Sequence, residues 1–225
     1  MTITDERPTT VMTTPAADPA PLGLAAFALT TFLLSAKNAN WMGTATGDAW
    51  LGYAFAYGGL AQFAAGMWEF RNRNVFGATA FGTYGGFWIG LGLWALLVAP
   101  PPTPPAGTSP AAAAALAAAH AAATGKDLGW ILLAFAIFNT YMLLWSALVN
   151  AAVFAVFLTL EATEVVLFIG FFAANASIIK VGGYIGVLTA LVAWYASAAI
   201  VVNTMRGGAP TVPVGRALWA QRPTV

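Results

Sequence analysis

Two acidic residues, Glu161 and Glu164, lie in the middle of a long apolar stretch of this 225-residue chain. The stretch, 151–174, reads AAVFAVFLTLEATEVVLFIGFFAA. As a helix rising about 1.5 Å per residue, it is long enough to cross roughly 30 Å of hydrocarbon. The two acids share one side of that helix with Phe157 and Leu160. Because an acid near the bilayer midplane costs on the order of 2.5 to 3.5 kcal/mol, this side is predicted to face protein or water.

The pair of carboxyl groups has two interpretations. In a low dielectric, two carboxylates one turn apart resist ionising together, so at least one is expected to hold a proton near neutral pH. Such a pair suits the coupling of a proton to the passage of a substrate. The alternative is a structural pair satisfied by neighbouring hydroxyl, amide or indole N–H groups, and the residues leave both interpretations open.

Other polar side chains occur at positions predicted to lie within the membrane. A hydroxyl there often bonds to its own helix, and an amide often joins two helices, so each alone is a weak signal. Together with the two acids they predict a polar lining along one pathway. The candidates are Thr30, Thr31, Asn38, Gln62, Glu161 and Glu164, with Asn139 and Thr140 on a neighbouring helix.

Composition identifies the class of protein and excludes several kinds of site. The chain is 60% hydrophobic and 8% charged, with a mean hydropathy of +0.76, which is typical of an integral membrane protein. It has one histidine and no cysteine, so thiolate chemistry is excluded and no metal, cofactor or catalytic residue is predicted. The net charge of +1 gives no reason to expect nucleic acid as a partner.

Hydrophobic periodicity predicts an all-α protein with six transmembrane helices and both termini in the cytoplasm. Arginine is concentrated in the tails and after the second span, which sets that orientation by the positive-inside rule. The predicted organisation is a disordered tail over 1–17, a transmembrane domain over 18–205 and a cytoplasmic tail over 206–225. The predicted spans are 22–39, 49–69, 75–98, 128–149, 151–174 and 181–203.

The connection over 99–127 is predicted to lie outside the cell. It begins rich in proline and becomes almost pure alanine. Ser109 followed by Pro110 is a good helix start, and Gly125 is a predicted stop, so a short external helix is expected there. At the other side of the membrane, Glu69 is predicted to form a salt bridge with neighbouring arginines.

Glycine spacing indicates where helices meet closely. Gly82, Gly86 and Gly90 repeat every four residues, as do Gly182 and Gly186. These strips let two backbones approach each other, and spacing alone does not decide between contacts within one chain and contacts between chains.

Several ordered blocks of sequence resemble one family. Asp18, Pro19, Pro21, Leu22 and Gly23 belong to the stretch DPAPLGL, and residues 62–88 read QFAAGMWEFRNRNVFGATAFGTYGGFW. These blocks, with FLTLEATEVVLFIG, NASIIKVGGYIGVLTALVAWYASAA and TVPVG further on, are similar to the acetate uptake transporter family of succinate-acetate permeases and fungal ammonia/acetate-export relatives. The resemblance covers the chain from residue 18 to residue 215.

The resemblance implies six-helix subunits in a homohexamer, each with its own pathway for small monocarboxylates and, in some members, succinate. It implies that Phe27, Tyr84 and Leu160 form a hydrophobic constriction. The chain departs from the family pattern in two places: Asp18 stands where the motif usually begins with Asn, and Glu164 stands where an apolar residue is expected. Both departures concern the substrate more than the fold.

The predicted function is therefore passage of acetate and related short carboxylates across the cell membrane, by proton symport or by a channel-like route. Protons are a possible second partner. The alternatives are a structural bundle or a small-solute channel with no carboxylate specificity. An embedded enzyme is not expected, because the chain has no HExxH motif and no acid-rich metal cluster.

Overall fold

The computed structural model describes residues 16–43 and 47–219, and every regular element in them is helical. The elements are α1 (Ala20–Asn38), α2 (Trp50–Phe55), a π-helical segment (Ala56–Ala61), α3 (Gln62–Arg71), α4 (Val75–Leu97), α5 (Pro110–Ser146), α6 (Ala151–Phe172) and α7 (Ala176–Met205). Five of them, α1 and α4 to α7, are long and apolar enough to cross a membrane. The prediction of an all-α membrane protein is confirmed, while the predicted 1–17 tail lies almost wholly outside the described residues.

The second predicted span is divided into three pieces. α2, the π-helical segment and α3 follow one another without a break, where the sequence predicted one uninterrupted helix over 49–69. Gly58 lies in the π-helical segment, and a Cβ there would come within 2.9 Å of atoms of both Thr30 on α1 and Trp88 on α4. The segment therefore lies where three helices approach closely, a contact that local periodicity does not report.

The predicted break at Gly125 is wrong. α5 is one helix of 37 residues, so the alanine-rich piece that was predicted to be external and the predicted span over 128–149 are continuous. The predicted start is confirmed, since the Ser109 side chain accepts a hydrogen bond from the Ala112 amide at 3.2 Å. Glycine inside a helix costs only about 1 kcal/mol relative to alanine, and the alanine-rich run before Gly125 and the absence of proline from the rest of α5 after it let the helix continue.

The predicted salt bridge of Glu69 is also wrong. Glu69 is only 1% exposed, and it accepts a hydrogen bond from the Asn74 side-chain amide at 3.0 Å. Among the described residues it forms no ion pair with Arg71 or Arg73. The side chain turns inward against the start of α4, where a Cβ at Gly77 would come 2.6 Å from Glu69 Oε1.

The helices form a ring. α1 packs along α7, α7 along α6, and α6 along α5, while on the other side α1 contacts the π-helical segment and α3, which pack on α4. The contact between α4 and α5 is the slightest. Aromatic side chains close it, with the rings of Phe87 and Phe135 4.6 Å apart. The ring of helices encloses the buried core.

The two glycine strips have different roles in the subunit. A Cβ at Gly182 would meet Leu167 and one at Gly186 would meet Ser35, so the α7 strip serves packing within the chain. A Cβ at Gly86 or Gly90 would meet nothing within 4 Å in the described part of the chain. The α4 strip therefore faces away from the subunit's core.

The chain ends described by the structure lie at one end of the ring. The segment 206–219 returns to the start of α6, where the Ala152 amide donates to the Val214 carbonyl at 2.9 Å. At the start of α1, the Ser197 hydroxyl of α7 donates to the Pro21 carbonyl at 2.7 Å. The last described part of the C-terminal segment is thus packed against the bundle.

Candidate functional site

Three cavities follow one another through the ring of helices. The first, which we call the vestibule, has a volume of about 430 Å³ and is lined by Lys37, Asp48, Trp94, Pro100 and Phe171 among others. The second, the upper chamber, has a volume of about 40 Å³ and shares Leu34, Asn38, Leu132 and Leu167 with the vestibule. The third, the lower chamber, has a volume of about 30 Å³ and is lined by Leu24, Gln62, Phe81 and Val156 among others.

Phe27, Tyr84 and Leu160 are the residues that line both chambers. They come from α1, α4 and α6, and each is at most 6% exposed. The rings of Phe27 and Tyr84 meet edge to face with centroids 5.7 Å apart. These three side chains therefore separate the upper from the lower chamber, and we call them the constriction.

The DPAPLGL stretch sets the position of Phe27. Asp18 accepts a hydrogen bond from the Ala20 amide at 2.9 Å and so satisfies a free donor at the start of α1. One turn before Phe27, a Cβ at Gly23 would come 2.7 Å from the Phe81 ring, so glycine lets α1 approach α4 closely. The other motif residues open the helix, namely Pro19, Pro21 and the exposed Leu22.

Tyr84 is also the centre of a hydrogen-bond network. Its hydroxyl lies 3.1 Å from Asn139 Oδ1 and 3.2 Å from Glu164 Oε1. The Asn139 amide nitrogen donates to the Phe157 carbonyl at 3.0 Å and to Glu161 Oε2 at 2.7 Å. The network thus joins the two glutamates through Tyr84 and Asn139, across α4, α5 and α6.

The two glutamates occupy different surroundings. Glu164 is 3% exposed and lines the upper chamber, and its Oε2 has no hydrogen-bond partner among the described residues. Glu161 is half-buried between α5 and α6, where it accepts a hydrogen bond from the exposed Thr140 at 2.9 Å. Positions three apart on a helix differ by about 60° in direction, and this angle turns Glu161 toward the outside of the subunit.

The remaining polar candidates are distributed along the route. Thr31 and Asn38 line the upper chamber, and Gln62 lines the lower chamber. Thr30 lines none of the three cavities, because its hydroxyl donates to the Ala26 carbonyl at 3.0 Å and faces the π-helical segment. Sequence reasoning missed Trp88, which lines the upper chamber and could have been found from its position four residues after Tyr84.

The charges lie in the vestibule. Lys37 forms an ion pair with Asp48, and its hydrogen bond lowers the pKa of the Asp48 carboxyl below the ordinary value of 3.8. No Lys or Arg lines either chamber in the part of the chain that the structure describes, and no group of His, Cys, Asp or Glu there could hold a metal ion. The described chamber linings therefore offer no fixed positive charge that could hold an anion in a tight site.

This bundle of membrane-length helices around a narrow internal route is the structure of a membrane transport protein. The chain belongs to the GPR1/FUN34/yaaH family, which it matches over residues 4–210. The resemblance seen in the sequence is thereby confirmed.

Relatives of known name support the same class. Acetate permease A of Emericella nidulans is 36% identical over 210 residues, covering 91% of this chain and 67% of the relative. Ammonia transport outward protein 2 of Saccharomyces cerevisiae is 37% identical over 179 residues, covering 80% of this chain, and the match spans 59% of that relative. The succinate-acetate/proton symporter SatP of Escherichia coli K12 is 34% identical over 200 residues, covering 88% of this chain and 95% of the symporter.

The fold has a match among solved structures. The structure of the bacterial acetate channel SatP superimposes with a TM-score of 0.74 and 32% identity, covering 89% of this chain and 99% of that one. The relatives are transport proteins, which confirms that the chain is not an enzyme. With five membrane-length helices, it is a multi-pass protein, and the plasma membrane is the location that fits its family.

Proposed function

We propose that the protein moves acetate and related short carboxylates, succinate among them, across the cell membrane. The route runs from the vestibule through the upper chamber and past the constriction into the lower chamber. The observation that carries the proposal is the trio Phe27, Tyr84 and Leu160, which separates the two chambers in a chain related to acetate carriers.

The chemistry of the route fits a small carboxylate. Acetate has one apolar and one polar end, and the chambers combine aromatic walls with the isolated polar groups of Thr31, Gln62 and Glu164. Such a lining replaces part of the hydration of the substrate without trapping it. A small-solute channel without carboxylate specificity is the second candidate, favoured by the absence of Lys and Arg from both described chamber linings.

The same proposal includes six spans with cytoplasmic termini. α2, the π-helical segment and α3 supply the sixth span, since they form one continuous helical path beside α1 and α4. Arg71, Arg73 and Arg206 lie at helix ends on the side of the described chain ends, whereas Lys37 borders the vestibule. The positive-inside rule then places the vestibule outside the cell.

A homo-oligomer, a hexamer by resemblance, is also part of the proposal. The outward α4 glycines leave room for a neighbouring helix. The half-buried Glu161 and the exposed Thr140 place polar groups on an otherwise apolar outer face of α5 and α6, where lipid would leave them poorly satisfied. Each subunit keeps its own route inside the ring of helices.

Uptake of labelled acetate into proteoliposomes tests the proposed function, with a pH gradient imposed or collapsed. Uptake that rises with the inward proton gradient, above that of protein-free liposomes, is expected for proton symport. Uptake independent of the gradient supports a channel-like route. No uptake above the protein-free background in either condition would refute carboxylate transport.

A further inference from the structure

The hydrogen bonds around Tyr84 allow the protons to be counted. Both N–H groups of the Asn139 amide are directed at other acceptors, the Phe157 carbonyl and Glu161. Its Oδ1 is buried and needs a donor, and the Tyr84 hydroxyl at 3.1 Å is the donor in reach. Tyr84 has a single proton, so it cannot also donate to Glu164 Oε1 at 3.2 Å.

A second proton resolves the contact between Tyr84 and Glu164. If Glu164 is a carboxylic acid, its Oε1–H donates to the Tyr84 oxygen while Tyr84 donates to Asn139, so each of these two contacts has its own proton. In that arrangement Glu164 Oε2 is a carbonyl-type oxygen, able only to accept. A buried carboxylate at the same place would leave one acceptor unpaired and a charge without a counter-charge.

Three buried polar atoms on residues of the upper chamber have no partner in the described structure: Glu164 Oε2, Trp88 Nε1 and Thr31 Oγ1. Their residues are 3%, 3% and 5% exposed. Buried polar groups are normally satisfied, so free ones on three residues that line the same cavity point to a ligand there. The set offers one acceptor, one donor and one hydroxyl that can do either.

We propose that the upper chamber binds a short carboxylic acid in its undissociated form, a proposal that rests on the proposed function. A neutral acid carries one donor, its O–H, and one acceptor, its carbonyl oxygen. The acid O–H donates to Glu164 Oε2, and the carbonyl oxygen accepts from Trp88 Nε1–H or from the Thr31 hydroxyl. A carboxylate anion has no donor for Glu164 and meets an acceptor there.

No cation that would favour the carboxylate anion over the neutral acid lines the described part of the upper chamber. The titratable groups facing Glu164 and its partner Tyr84 are Glu161 on the same helix and Tyr141 on α5, while the described parts of α1 and α7 bring none to the chamber lining. Lys37, with Asp48 beside it, lines only the vestibule. The proton therefore enters the chamber with the substrate, and Glu164 acts as a fixed acceptor.

Two small molecules whose charge does not change with pH test the proposal. Each is added as a competitor while proteoliposomes containing the protein take up labelled acetate. Acetamide is neutral at every pH used and offers N–H donors and a carbonyl acceptor, whereas trifluoroacetate stays ionised. With the concentration of undissociated acetic acid held constant, acetamide is expected to suppress uptake at a pH-independent concentration and trifluoroacetate to be at least tenfold weaker. Equal potency of the two probes would overturn the proposal.

Variants at position 164 make the test specific. In Glu164→Gln the amide N–H can donate to Tyr84 and the amide oxygen remains in the chamber as an acceptor, so the pH profile of uptake should keep the parent's shape, whatever the rate of the variant. Glu164→Leu removes the acceptor and should weaken acetamide about tenfold. Asp127→Asn, on an exposed part of α5 that lines none of these cavities, is the control for expression and folding.

The remaining outcomes are distinguishable. A flattened pH profile in Glu164→Gln would show that Glu164 titrates and would overturn the assignment of a fixed acceptor. Because Glu164→Leu can fail to fold, the Gln variant and the two probes on the parent protein decide the matter without it. Absence of acetate uptake by the parent would instead refute the proposed function itself.

Discussion

Tyr84 combines two roles at the scale of a single residue. Its ring is one wall of the constriction, and its hydroxyl satisfies Asn139 and contacts Glu164. The ring is surrounded by other aromatic side chains, with Phe138 at 5.6 Å and Phe87 at 6.1 Å between centroids. The same side chain therefore both narrows the route and contacts the Glu164 carboxyl group.

Truncating the constriction should widen the route. Tyr84→Ala and Leu160→Ala are each expected to raise uptake of butyrate relative to acetate severalfold, because both steric exclusion and the required desolvation decrease. Competing uptake of the two labelled acids measures the ratio. Leu158→Ala, at a 49% exposed position of the same helix, is the control. An unchanged ratio in both constriction variants, at normal expression, would count against this pore.

The ion pair in the vestibule should regulate how quickly acetate anions gather at the mouth of the route, before each takes up a proton and enters the upper chamber. Because Lys37 lowers the pKa of Asp48, the pair stays charged at neutral pH and is lost only as pH falls through the lowered value. Asp48→Asn imitates the low-pH state and leaves the Lys37 charge free. We expect initial acetate uptake to rise about two- to threefold at low salt and to return toward the parent's rate at high salt.

The control for that experiment is Lys37→Gln, which should abolish the gain when combined with Asp48→Asn. A gain that persists without Lys37, or that is insensitive to ionic strength, would contradict an electrostatic origin.

At the scale of the elements, close contacts between helices depend on a few glycines. α7 approaches α1 at Gly183, where a Cβ would meet the Ala39 backbone. Backbone atoms cannot rotate aside as a flexible side chain can. A residue larger than glycine at such a position would push the two helices apart. These glycines therefore keep the helices around the chambers at their present spacing.

Alanine substitutions should have opposite effects on stability at a tightly packed glycine and at an open one. Gly183→Ala is expected to lower the free energy of unfolding by about 1–3 kcal/mol through overpacking. Gly125→Ala, in an open part of α5, should instead raise it by up to about 1 kcal/mol, since alanine is the better helix former. Thermal unfolding in mild detergent measures both. Equal effects of the two substitutions would contradict the packing argument.

At the scale of the whole molecule, the ring of helices leaves two features on its outer surface. The glycines of α4 form an open strip, and Glu161 with Thr140 forms a polar site on α5 and α6. The strip has open space beside it in the described subunit, and the polar site, although hydrogen-bonded within the subunit, lies partly exposed on an apolar outer surface. Both are expected to be covered by neighbouring copies of the chain.

Mass measurement in native lipid or mild detergent should therefore detect a species several times the 23.3 kDa subunit. Gly86→Leu and Gly90→Leu are expected to reduce its size, because the side chain occupies the space of the neighbouring helix. Leu93→Ile, at an exposed position of the same helix, controls for general surface change. A strictly monomeric protein that still transports acetate would refute the assembly.

Local pattern was sufficient for much of the architecture. Apolar runs and their period determined that the chain is an all-α membrane protein, and Ser109 and Pro110 correctly marked the start of α5. The residues of the constriction were assigned by resemblance, and the structure brings all three together. Where the local pattern allowed two outcomes, as at Gly125, the sequence predicted a break that the structure does not have.

Only the tertiary structure decided the direction in which each side chain points. Glu161 and Glu164 point in directions only about 60° apart on the same helix. Glu164 lines a chamber and Glu161 faces the outer surface because of where α4 and α5 lie against that helix. Asn139 contacts Glu161 on the next helix and reaches Glu164 through Tyr84, which is 55 residues away in the sequence. Glu69 turns inward and accepts a hydrogen bond from Asn74, five residues further on. Periodicity reports which residues are neighbours along one helix, whereas a site between helices depends on contacts that are distant in sequence.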